Sequence, residues 1–272
     1  MPERVKLARV CDRRHLGRMN AAIAALVRRH DPDRFLTALF APPEKRDALL
    51  TLYAFNHELA RAREVVSEPP LALIRLQWWR EVVEGAHRRH EVAEPLRVAI
   101  AAGDLDRGDL LALIDAREAE AEPRFETVQD WRAYLFGSAG GVAVAAGRLL
   151  GVPDAEALRP LGAAYGIAGV LRSIAAHARQ GRCLLPVDVL AEHGLIPEQV
   201  IAAPASARAA VNRLAKEGLA LLQPMRLARR AVAAGLPAVL ARRDLRRAPA
   251  FPPQRGLGDR LAVVLSGLAG RV

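Results

Sequence analysis

The sequence predicts an all-α protein, and three observations carry that prediction. Hydrophobic residues fill 51% of the 272 positions but aromatics only 4%, and alanine supplies the small-residue character, which favours helix over the β-branched and aromatic chemistry of sheets. Apolar residues recur at spacings of three and four almost throughout. The breaks between these runs are short Pro/Gly/Asp clusters rather than long polar linkers, so a single domain over 1–272 fits best.

Taken in order, helices are expected near 16–30, 44–66, 70–90, 94–102, 107–121, 127–150, 155–180, 187–192, 206–233, 236–247 and 257–268, with ends uncertain by about 2–4 residues. Punctuation supports them. Pro42-Pro43 precedes Glu44, Pro69-Pro70 precedes Leu71, and Gly151-Val152-Pro153-Asp154 ends one helix and caps the next. The segment 181–186 is too short for another element and reads as a turn carrying a local contact. Residues 246–258 have loop composition and are expected to be mobile.

The formal net charge of +10 admits nucleic acid, an anionic membrane or a phosphorylated ligand as partners. Its placement narrows them. Residues 205–272 hold thirteen Arg/Lys and three Asp/Glu, so this basic quarter carries the whole excess and residues 1–204 are neutral. Arg226, Arg229, Arg230, Arg242, Arg243, Arg246 and Arg247 interleave with leucines there, as amphipathic helices with an arginine face would. Such a face is either simply solvated or adsorbs to anionic lipid, with Arg229, Arg230, Arg242 and Arg243 the residues to test. No nucleic-acid partner is expected, because these arginines have no stacking aromatics among them.

Cys11 and Cys183 are too few for a disulfide scaffold and lack metal-ligand spacing, which suits a reducing cytoplasmic setting. No uncharged run reaches the ~20 residues of a spanning helix, and the basic N-terminus has no apolar core of a secretory signal. His87 and His90, flanked by arginines, read as a solvated helix end rather than a metal pair. Gly137-Ser138-Ala139-Gly140-Gly141 lies inside a helical pattern with no preceding strand and no Lys, so it reads as close helix packing and not as a phosphate loop.

Two helices present semi-polar inner stripes. On the first, Leu49, Leu52, Tyr53, Asn56, Ala60 and Glu64 step by three or four; on the second, Tyr165, Gly169, Ser173 and His177 step by four beside Arg172. Around them Leu52-Tyr53-Ala54-Phe55, Leu171-Arg172, Ala178-Arg179-Gln180-Gly181-Arg182, Leu185-Pro186, Leu113-Ile114-Asp115 and Glu122-Pro123-Arg124 resemble the squalene/phytoene synthase family over about residues 31–240. The resemblance implies an isoprenoid-synthase-like helical bundle with a central pocket. It further implies Asp-rich motifs on the two facing helices, whose carboxylates hold Mg²⁺ against a substrate diphosphate.

The matching positions here are Ala60, Arg61 and Glu64, then Ser173 and His177, so four of five carboxylates are gone. Where the family has Ser-x-Ser-Phe, this chain has Pro32, Asp33, Arg34 and Phe35. Losing several metal ligands removes the ion with its whole contribution, against a cost on the order of 10²–10³ in rate for one electrostatic stabiliser. No catalytic residue, metal site or cofactor is therefore expected, and Tyr53, Asn56, Ala60, Glu64, Tyr165, Gly169, Arg172, Ser173 and His177 outline a vestigial pocket. Arg61, Arg63 or Arg172 could alternatively grip a diphosphate directly, although pairing of Arg61 and Arg63 with Glu58, Glu64 or Glu68 is the favoured reading. The rival expectation is a working prenyltransferase that condenses two isoprenyl diphosphates with altered Mg²⁺ ligation.

Residues 31–81, with Ser67-Glu68-Pro69 and Ile74-Arg75-Leu76-Gln77-Trp78-Trp79-Arg80, are similar to the branch of the family that includes a mitochondrial assembly factor of respiratory complex I. That resemblance implies a non-catalytic scaffold, peripheral to the inner face of the cytoplasmic membrane. Its implied partners are complex I subunits or assembly intermediates; the basic quarter adds an anionic membrane surface, and the vestigial pocket leaves open a prenyl lipid bound without reaction. Trp78 and Trp79, being adjacent on a helix, cannot face the same way; one packs inward and the other lies at an edge or at a partner surface.

Overall fold

A computed structural model describes residues 20–66, 68–122 and 124–272. The basic stretch 1–18, Cys11, the expected helical residues 16–19, Ser67 and Pro123 lie outside them. Among the described residues there is no strand; one antiparallel backbone bridge joins Arg226 to Arg271.

Helix α1 covers 20–30. Asp31 then accepts from the Arg34 backbone N–H at 3.0 Å and starts α2, Pro32–Ala38, a short helix absent from the expectation because about two turns carry too little periodicity to read. Helix α3, Pro43–Glu64, begins on proline as expected and buries Leu49, Leu52, Tyr53 and Asn56. Helix α4, Pro69–Glu84, stops at Gly85, whose φ of 118° suits only glycine, and not at 90. His90 beyond it is no solvated end: it packs edge-on against Trp78 and Trp79, and its Nδ1 accepts from the Val92 N–H at 3.2 Å. Trp79 is buried against Phe55 and Trp78 half-buried, the division expected for adjacent helix positions.

Helices α5 (Ala93–Ala101), α6 (Arg107–Glu118) and α7 (Val128–Leu135) follow, the last two capped by Asp106 and Thr127. The expected helix 127–150 is broken by a π turn, Phe136–Gly140, before α8, Gly141–Leu149. The glycines explain the turn's place. A Cβ on Gly162 would come within 2.5 Å of the Ala139 carbonyl oxygen, so α9, Arg159–Arg172, crosses the turn at backbone distance. Helix α9 thereby runs through the centre of the bundle.

The expected helix 155–180 breaks at Ser173, whose ψ of 5° leaves the helical region, and resumes as α10, Ile174–Arg179. After the turn at 181–186 come α11 (Val187–Ala191), the unexpected α12 (Pro197–Ala202) and α13 (Arg208–Ala220). The expected helix 206–233 ends thirteen residues early, at Ala220. Pro224 cannot donate to the helical ladder and clashes with the preceding turn, so Arg226, Arg229 and Arg230 sit on irregular chain and not on an amphipathic helix.

Helices α14, Pro237–Arg247, and α15, Leu257–Ala269, close the fold, packed on each other and, through α14, on α9. The loop between them is tied down by side chains. Arg255 donates to Asp33 at 2.7 Å and to Asp244 at 2.6 Å, and Arg172 reaches the Pro252 carbonyl, so the expected mobility meets strong internal anchors.

Candidate functional site

Six of the nine expected pocket residues come together. Ala60 and Glu64 from the end of α3, Tyr165 and Gly169 from α9, Ser173 at the break and His177 on α10 line one cavity of about 210 Å³. The break at Ser173 does not swing His177 away. The other three residues face elsewhere. Tyr53 lies deeper, Asn56 accepts from Arg117 Nη2 at 3.0 Å, and Arg172 donates to Asp244 at 2.9 Å in an adjoining cleft of about 770 Å³ beside α2, which Tyr165, Gly169 and Ser173 also line.

Between Tyr53 and Tyr165 the bundle is filled by Arg34. Its guanidinium sits 4.9 Å from the Tyr165 ring centre and 5.5 Å from that of Tyr53, and pairs with Asp31 at 3.1 Å. The space left around these three side chains is about 10 Å³, room for about one water. Burial raises the Tyr53 hydroxyl to about 12 and Tyr165 well above its ordinary value, so both rings remain neutral faces for the cation. For Arg34 itself burial opposes the charge, but Asp31 and the two tyrosines outweigh it.

A second charged group closes the other wall. Arg117 donates to Glu120, to Tyr134 Oη at 3.1 Å and to Asn56, while Tyr134 donates to Glu120 at 2.6 Å. Arg182 approaches Glu120 at 3.8 Å and leaves its buried Nη2 without a partner, as does His177 its Nδ1. Burial, with Arg182 next, lowers His177 to about 4, and burial lowers Arg182 as well. Glu64, at the cavity's edge, is raised by desolvation and then by the Glu120 charge. At His177, Arg182 and Glu64 the charged form is thus disfavoured, whereas Arg117 on the same cavity is held charged, against its burial, by Tyr134 and Glu120.

Mg²⁺ does not fit these residues. Ala60 offers no ligand and Ser173 and His177 no charge, Arg61 turns away to Glu58 at 3.1 Å, and Glu120 is committed to Arg117 and Tyr134. Glu64 is left as one carboxylate facing Arg117 and Arg182, whereas Mg²⁺ needs an octahedron of oxygens. Among the described residues no three His, Cys, Asp or Glu side chains group as metal ligands. Arg63 donates to the Val66 carbonyl, so neither it nor Arg61 is turned toward the cavity as a grip.

Arg34, Arg117, Glu120, Tyr134 and Arg182 were not among the expected site residues. Arg34 was visible as the departure from serine, but Arg117 and Glu120, three apart, read like any solvated helix pair. Of the expected surface residues, Arg229 and Arg230 are exposed with no acidic partner among the described residues. Arg242 and Arg243 are taken up internally, donating to the Leu222 carbonyl and to Asp259.

Residues 27–264 match the model of the family described as squalene/phytoene synthase. The assembly factor 6 of NADH dehydrogenase (ubiquinone) complex I from Mus musculus is 29% identical over 65% of this chain and 55% of its own length. The 15-cis-phytoene synthase of Enterobacter agglomerans is 32% identical over 54% of this chain and 48% of its own. The chain thus spans about half the length of the curated relatives it matches. The crystal structure of the squalene synthase HpnC from Alicyclobacillus acidocaldarius superposes with a TM-score of 0.61 at 20% identity, covering 93% of this chain and 94% of that one, a likeness of fold. No helix among the described residues is long and apolar enough to cross a membrane.

Proposed function

The chain belongs to the squalene/phytoene synthase family, and from that premise we propose that it is a non-catalytic scaffold that assists assembly of respiratory complex I, held peripherally at the membrane that carries the complex. One observation supports this most: the centre of the bundle is filled by the chain's own side chains. Arg34 lies between Tyr53 and Tyr165 and leaves about 10 Å³ there, and the cavity of about 210 Å³ that holds Ala60, Glu64, Ser173 and His177 is below the ~300 Å³ at which small-molecule pockets begin, while the larger cleft beside α2 meets these metal-motif positions only at Ser173. The relative named as a complex I assembly factor supplies the direction of the reading.

The rival is prenyl transfer. Purified protein incubated with farnesyl or geranylgeranyl diphosphate and Mg²⁺ is expected to release diphosphate at the background rate. Release well above background, lost on adding a chelator, would overturn the non-catalytic reading. The assembly role is tested separately: deletion of the gene is expected to lower NADH:quinone activity and fully assembled complex I, and unchanged complex I would sink it.

A further inference from the structure

Helix α15 carries an apolar face that nothing among the described residues covers. Leu257, Leu261, Leu265 and Leu268 are 78%, 59%, 65% and 64% exposed, while Asp259, Val263 and Gly267 are buried on the opposite side. Spacings of four, four and three keep the leucines on one stripe about 16 Å long. Single exposed leucines are ordinary, but four in register on one helix are not.

The border of this stripe is cationic. Arg260, three residues after Leu257, lies beside it, and Arg271 at the helix's far end bridges to Arg226, with Arg229 and Arg230 following on the same irregular chain. All five are exposed, and none has an acidic partner among the described residues. The one acid of α15, Asp259, is turned inward onto Arg243 and Arg247. An aliphatic stripe flanked by unpaired arginines has the make-up of a helix lying in the headgroup boundary of an anionic bilayer.

We infer that α15 is the membrane-docking element: its leucine stripe enters the acyl boundary while Arg226, Arg229, Arg230, Arg260 and Arg271 meet anionic headgroups. This rests on the peripheral-membrane part of the reading above and names the surface responsible. A second copy of the chain is the poorer occupant, because pairing two such stripes would bring their arginine borders together. Residues 1–19 are also basic, with six Arg/Lys against two Asp/Glu, and offer no charge complement.

The test is flotation of the full chain with phosphatidylcholine vesicles with and without phosphatidylglycerol, comparing wild type, Leu261→Gln/Leu265→Gln and Arg229→Glu/Arg230→Glu. Gln is close to Leu in helix propensity, so unchanged melting certifies the fold. Wild type should float with the anionic vesicles only, the leucine variant should lose about tenfold or more of that binding, and the arginine variant should lose it in a salt-sensitive manner. Wild-type flotation that survives the leucine substitutions would overturn α15 as the element while leaving a peripheral protein; no wild-type flotation at all would overturn both. A dimer in solution broken by the leucine variant would assign the stripe to a second copy. A large drop in melting temperature would assign it to the chain's own residues. Either result removes the bilayer from α15.

Discussion

The centre of the bundle and the outer face of α15 handle charge and apolar surface in opposite ways. In the centre, Arg34 is answered by Asp31 and two aromatic faces, and Arg117 by Glu120, Tyr134 and Asn56. On α15, four leucines stand in solvent beside arginines with no acidic partner among the described residues. The difference teaches where free binding capacity lies in this chain. Where Arg34 and Arg117 are satisfied by the chain's own side chains little is left for a ligand to pair with, whereas uncovered apolar area beside unpaired charge has a partner still to find.

The largest break in this comparison is Arg34→Ala. It removes a buried guanidinium, leaves Asp31 without its ion pair and opens space between Tyr53 and Tyr165, and should cost about 3 kcal/mol in urea unfolding. Arg34→Met, which keeps most of the volume and removes the charge, should recover more than half of that loss. If both variants melt like wild type, Arg34 is not what fills the centre.

The cavity beyond Arg34 is tested by acid. His177 has an ordinary value of 6.5 and is lowered to about 4 in the fold by burial and by Arg182. The unfolded chain therefore takes up a proton that the folded chain refuses. This contribution to stability is complete above about pH 6.5, and falls away as the pH drops toward 4. His177→Gln should flatten that part of the stability-against-pH curve by about 2 kcal/mol, read as the difference between the two proteins at pH 7 and pH 4.5. Parallel curves would show that His177 is solvated.

How much of this was legible in the sequence differs by level. The all-α class and most helices followed from apolar spacing, because a helix's buried face writes itself as a period. The π turn, the break at Ser173 and the early end of α13 did not: the π turn lies where α9 crosses at backbone distance, a tertiary constraint, while Pro224 stands in the sequence amid leucines at helical spacing. The cavity's two aligned stripes were readable and Arg34 stood out as a departure from serine, but the inward turn of Arg117 and Arg182 was not, since an arginine looks the same in sequence whether it faces water or a tyrosine. The spacing predicts a helix over 257–268 without assigning its leucine face. Periodicity reports that a helix has an apolar face and says nothing of what covers it.

The smallest expected effect concerns what holds α15 in place beneath that face. Asp259 is buried and receives Arg243 Nε at 2.5 Å and Arg247 Nη1 at 3.0 Å, so the charges of α14 fix the start of α15. These hydrogen bonds hold its carboxyl far below the usual carboxylate range. Its stabilising effect is accordingly full above about pH 4 and is lost progressively as the pH falls below that, because the unfolded chain's aspartate takes up a proton that the folded chain refuses. Because both guanidinium groups are about a third exposed, at 37% and 34%, solvent screens the pair, and Asp259→Asn should cost only about 1 kcal/mol at pH 7. The deficit should shrink below about pH 4, as the wild-type carboxyl protonates in the unfolded chain while it stays ionised in the fold. Hydrogen exchange sharpens the comparison further: amides of α15 should exchange faster in Asp259→Asn while those of α9 are unchanged, since the central bundle does not depend on this anchor. Equal acceleration in both helices would show that the outer face and the centre unfold as one unit.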